Sequence, residues 1–87
     1  MKSTAYFREI VRVKHPGIAA DWILRSLREP VEHRLHAVGR HLFWELVPEA
    51  GGKVHRLMTL EDRETVHNAC FDRGYLRRLK ALPTTPA

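Results

Sequence analysis

Two rhythms of apolar and polar positions run along this chain. In HPGIAADWILRSLREP (residues 15–30), Ala19, Ala20, Ile23, Leu24 and Leu27 recur three and four apart, while Asp21, Arg25, Arg28 and Glu29 fall on the opposite side. That spacing predicts an amphipathic helix, with Pro16 where a helix can begin and Pro30 where it must already have ended. After Pro30 the period drops to two. VEHRLHA, RHLFWELV, KVHRLMTL and ETVHNAC read as four strands, separated by Val38–Gly39, PEAGG and EDR. Such short links between consecutive strands imply an antiparallel meander.

The ends are less regular. YFREIVRVK (residues 6–14) interleaves Ile10, Val11 and Val13 with Arg and Lys and is expected to form a first strand, although Phe7, Ile10 and Val11 also suit one helical face. In FDRGY, Gly74 permits a tight turn and Asp72 can cap the helix predicted over YLRRLKAL, which stops before Pro83. The tail, residues 83–87, is expected to fray. The prediction is a single α+β domain over residues 1–87 with an ordered core from about 6 to 81. It runs N-terminal strand, helix, four-stranded antiparallel meander, short C-terminal helix.

Pairing each hairpin symmetrically about its turn sets Trp44 opposite Arg56 with Asn68 beyond, and Phe43 opposite Leu57 with His67 beyond. Alternation then places Leu35, Leu42, Trp44, Leu46, Val54, Met58, Leu60, Val66 and Cys70 on the face expected to lie under the helix. The other face is expected to stay open. It receives Glu32, Arg34, His36, His41, Phe43, Glu45, His55, Leu57, Thr59, Thr65 and His67, including four of the six histidines.

Composition narrows the function classes. The 15 Lys and Arg against 10 Asp and Glu give a formal charge of +5, and eleven of the cations are arginine, whose planar fork suits bidentate phosphate contacts. One cysteine, Cys70, cannot form an internal disulfide, and neither a secretion signal nor a membrane-spanning run is present, so a reduced, cytoplasmic setting is expected. No HxxxH or HExxH spacing suggests a metal, and no cofactor is expected.

Chemistry on the expected open face centres on histidine. His55 and His67 would be diagonal neighbours with Glu45 across from His55, where a carboxylate can orient an imidazole and tune it as a general acid or base. RNA cleavage through the 2′-hydroxyl needs one group to take that proton, another to protonate the leaving oxygen, and cations to stabilise the phosphorane. His67, His55 and Glu45 are the candidates for catalysis, and Arg34, His41, Arg73 and Arg77 for holding substrate. The plainer reading is that these histidines fill space, that Cys70 is a buried apolar residue, and that Arg73, Arg77, Arg78 and Lys80 form a solvated helix surface. A non-enzymatic module holding RNA or a protein partner on the same scaffold is the second function class.

The order of elements, together with KHPGIAADWILRSLREP, GRHLFWELVPE and its glycine turn, KVHRLMTL and ETVHNACFDR, resembles small bacterial proteins near the RelE-like and BrnT-like toxin ribonucleases. The resemblance covers residues 6 to about 80. It implies a compact sheet with helices on one face, a metal-independent ribonuclease on the concave other face, and a protein antitoxin as partner. It also implies a site role for His15, which matches a histidine that often opens the first helix in such proteins. The arginine that commonly follows is missing here, since no cation lies between His15 and Arg25.

Overall fold

A computed structural model describes residues 2–81 of the chain; the tail expected to fray lies outside them. In chain order the elements are helix α1, which is π-helical over Phe7–Val11 and continues as Arg12–Lys14, helix α2 (Ala20–Arg28), strands β1 (Glu32–Leu35), β2 (His41–Val47), β3 (Lys53–Thr59) and β4 (Val66–Phe71), and helix α3 (Tyr75–Ala81). The strands form one sheet in the order β1-β2-β3-β4, each pair antiparallel. The predicted α+β class and meander are therefore present. Gly51 and Gly52, at φ +71° and +78°, close the β2–β3 turn in the left-handed region that glycine adopts without a side-chain clash.

The segment predicted as a first strand is α1. A strand that turned Phe7 and Val11 inward would carry Glu9 inward with them, whereas a helix brings Phe7 and Val11 together at four-residue spacing and leaves Arg8 and Glu9 in water. Both apolar residues are 3% exposed. The amide of Arg12 bonds to the carbonyl of Phe7, five residues back, which gives the helix its wide turn. Only the residues before it are extended: the amide of Thr4 donates to Val66 O (2.9 Å) and the amide of Val66 to Lys2 O (2.9 Å), so Lys2–Thr4 cover part of the outer edge of β4.

The two faces of the sheet are reversed relative to the prediction. Phe7, Val11 and Ile23 pack with Phe43, Leu57, Val66 and Ala69 into the main core, so α1 and α2 cover the face that carries Phe43 and Leu57. A helix laid over the opposite face would have to bury Arg56 and Asn68. On the face it does cover, α2 supplies Arg25 for Glu45 and Ser26 for His55. α3 touches the other face at one end only, where Tyr75 stacks on Trp44 beside Val54.

Registers explain the remaining differences. Trp44 does face Arg56, Phe43 faces Leu57 and Glu45 faces His55, as expected. On the next strand, however, Arg56 meets Cys70 and Leu57 meets Ala69, two residues from the expected Asn68 and His67. A bulge between Met58 and Thr59 then turns Val66 over to the helix side. β1 is slid by one position, pairing Glu32 with Trp44 and Leu35 with His41. For this strand the slip offsets the reversal of faces, so Glu32, Arg34 and His36 lie on the uncovered face and Leu35 on the helix side, where they were expected.

Candidate functional site: the uncovered face of the sheet

The uncovered face is built from alternate positions of four strands. β1 and the residue following it supply Glu32, Arg34 and His36; β2 supplies Leu42 and Trp44; β3 supplies Arg56 and Met58; β4 supplies Asn68 and Cys70. His36, Leu42, Arg56, Met58, Asn68 and Cys70 line a groove of about 190 Å³. Leu42 and Met58 make its floor apolar. Its polar groups are mainly donors: the side-chain oxygen of Asn68 already accepts from the amide of Ala69 (2.9 Å), which leaves its NH2 for the groove.

Asp72, just past β4, organises one end of this face. The indole N–H of Trp44 donates to its Oδ2 at 3.0 Å and Arg78 Nη2 at 2.9 Å, and Arg56 Nη1 lies 3.6 Å away. Its Oδ1 accepts from the amide of Gly74 (3.2 Å), so it shapes the turn that precedes α3 rather than accepting from an amide of the helix itself. Burial alone would raise the Asp72 carboxyl, but the bonds from Arg78 and Trp44 outweigh it and hold the group below its ordinary range. Asp72 thus stays ionised and fixes Arg56. That guanidinium also reaches Cys70 Sγ through Nη2 at 3.3 Å.

Farther along the face, Tyr75 donates its hydroxyl to Glu32 Oε1 at 2.7 Å, and Arg34 pairs with the same carboxylate. Burial, followed by the bond to Glu32, pushes the Tyr75 hydroxyl up, so it remains a donor at neutral pH. Arg40 approaches Met58 Sδ at 4.0 Å from the opposite rim. The groove is consequently bordered by Arg34, Arg40, Arg56 and Arg78. Two of these share Asp72 and one is offset by Glu32, and the surplus is positive.

The residues nominated for acid–base chemistry occupy separate environments, not one open concavity. His55 is 0% exposed beneath α2. Ser26 Oγ sends its proton to Trp22 O (2.9 Å), so the 3.2 Å contact with His55 is a bond from Nδ1–H to Ser26, leaving Nε2 as a buried acceptor without a partner. Burial brings the His55 pKa down to about 4. Glu45, 4% exposed, is ion-paired to Arg25, and its Oε2 is also unpartnered.

His67 lies near the N-terminus, with Nδ1 3.1 Å from Thr4 Oγ1 and its ring 4.9 Å from that of Tyr6. Burial first, then Arg40, lowers its pKa. His15 follows α1 on an exposed turn beside a crevice of only about 10 Å³, which also involves Phe7, Val11 and Ile23. His41 is on the helix side, its Nδ1 2.8 Å from His33 Nε2.

Of the residues nominated for substrate, Arg34 is on the uncovered face. Arg73 is exposed in the turn before α3, beside a depression of about 340 Å³ lined by Lys53, Phe71 and Leu76, and Arg77 is exposed on α3. The residues that form the groove were missed as a group: His36, Arg56, Asn68 and Cys70. Their signal was the interruption of the even-numbered apolar series by Arg56 and Asn68, which marks that face as the wet one. Among the described residues no three His, Cys, Asp or Glu side chains converge as a metal site, and no helix is long and apolar enough to cross a membrane. Comparisons with protein-family models, curated proteins and solved structures each return no match.

Proposed function

We propose that the uncovered sheet face binds single-stranded RNA. The observation that carries this reading is the groove itself: an apolar floor of Leu42 and Met58 under Arg56, the Asn68 amide and His36, in a chain of formal charge +5. Phosphates are met by Arg34, Arg40 and Arg78 at the rim, while an unstacked base rests on the floor and offers acceptor edges to Arg56 and Asn68. A duplex does not suit a recess of this size, because its bases are already stacked and paired. Single strands present both parts at once.

Metal-independent RNA cleavage on this face would run through His36, the imidazole that adjoins Arg56 in the groove. General acid–base cleavage needs a proton acceptor and a proton donor, and His36 fills one of those places. Binding without turnover is therefore the preferred reading.

Fluorescence anisotropy with a labelled single-stranded RNA oligomer tests the proposal. Saturable binding is expected at low salt, weakened about tenfold by Arg56→Ala and less by Asn68→Ala, with the circular dichroism spectrum unchanged. Absence of binding at low salt, or binding indifferent to both substitutions, overturns it. Running the recovered RNA on a gel, with chelator present, tests the cleavage reading: new ends carrying cyclic phosphate that disappear in His36→Ala would establish turnover.

A further inference from the structure

We infer that two copies of the protein pair through the outer edges of their β1 strands, antiparallel and centred on His33. β1 is an end strand of the sheet, and among the described residues nothing pairs with its outer side. The amide of His36 donates to Arg40 O at 2.6 Å, so the even-numbered positions of β1 turn their backbone groups toward β2; just before the strand the amide of Val31 also turns inward, to Trp44 O at 2.7 Å. By alternation the N–H and C=O groups of His33 and Leu35 point away from the sheet, toward the free edge.

Register follows from charge. Two outward-facing rows can bond only if odd positions oppose odd positions, which allows centring on Glu32, His33 or Arg34. Centring on Glu32 sets that carboxylate against its own copy, and centring on Arg34 sets two guanidinium groups together. Centring on His33 sets Glu32 opposite Arg34 twice, once on each side of the two-fold axis. It also sets Val31 opposite Leu35, and these two apolar residues are 59% and 69% exposed in the single chain. The edge is thus self-complementary in charge, with reciprocal backbone bonds between the two His33 residues at the axis and apolar side chains at either end, as an isologous interface requires.

At the axis the two His33 backbones oppose each other, while each ring is turned back onto its own sheet, stacked on Phe43 with centroids 4.6 Å apart and Nε2 2.8 Å from His41 Nδ1. Desolvation, then Arg63, then His41 keep His33 below the ordinary imidazole range. The pairing fuses the two sheets into one and leaves both grooves on the same continuous face. This inference stands independently of what the groove binds.

Sedimentation velocity over a concentration series, on the full chain, tests it by charge exchange. The wild type should pass from monomer to dimer as concentration rises, a weak equilibrium because the contact is short. Glu32→Arg and Arg34→Glu should each sediment as monomers, since each alone sets like charges together across the axis. Mixed one to one, the two variants should form a heterodimer, because each position then meets an opposite charge. Circular dichroism and thermal melts confirm that each variant is folded. A wild type that stays monomeric at its highest soluble concentration overturns the inference, as does dimerisation indifferent to either substitution or a mixture that remains monomeric.

Discussion

His55 shows how one side chain couples the core to solution conditions. Enclosed beneath α2, with Nδ1 bonded to Ser26 and Nε2 facing no donor, it is held neutral with a pKa of about 4, whereas the unfolded chain returns it to an ordinary value near 6.5. Between those values the unfolded state binds the extra proton. Folding stability from this group is therefore complete above about pH 6.5 and is lost progressively as pH falls toward 4, by an amount on the order of 3 kcal/mol. His55→Leu keeps comparable volume, removes the unpartnered nitrogen and leaves the Ser26 hydroxyl on Trp22 O. Urea midpoints measured from pH 7.5 down to 4.5 should decline clearly less in His55→Leu than in the wild type; equal slopes would place the titration elsewhere.

At the scale of elements, α1 carries the sharpest test, because its two readings assign Glu9 opposite environments. In a strand Glu9 would share a face with Phe7 and Val11; in the helix it is solvated while those two fill the core. Phe7→Ala is expected to cost about 3 kcal/mol by urea denaturation, and Glu9→Ala less than about 0.5 kcal/mol. A large effect at Glu9 would favour the strand. What was legible in advance divides along the same line. α2 and the four-strand order follow from sustained periodicity bounded by Pro16, Pro30 and glycine turns. The slip of β1 does not, because polar residues occupy both of its faces, Glu32 and Arg34 on one and His33 on the other, so no hydrophobic pattern fixes the register. The bulge before Val66 has no two-period signature either, but it was the choice of face by α2 that enclosed His55 and Glu45 and so relocated the expected site.

For the whole molecule, the division into a helix-covered and an uncovered face makes the charge distribution testable. If the net charge of +5 alone attracted RNA, every exposed arginine would contribute alike, including Arg8 and Arg12 on α1. If the groove face holds the strand, the contribution belongs to Arg34, Arg40, Arg56 and Arg78. Counterion release then predicts that the logarithm of the association constant falls against the logarithm of salt concentration with a slope of about −2, for the three phosphate contacts of Arg34, Arg40 and Arg78 to a single strand. Arg34→Ala and Arg78→Ala should each make that slope shallower by about 0.7, while Arg8→Ala and Arg12→Ala leave it unchanged. Arg78→Ala carries a second consequence, because Asp72 then keeps Arg56 as its one cationic partner, beside the Trp44 indole and the Gly74 amide, and draws the guanidinium closer. Binding in that variant should weaken by more than the loss of one phosphate contact, and adding Asp72→Asn should recover part of the difference. Equal slopes across all four single variants would assign the interaction to net charge and remove the groove from it.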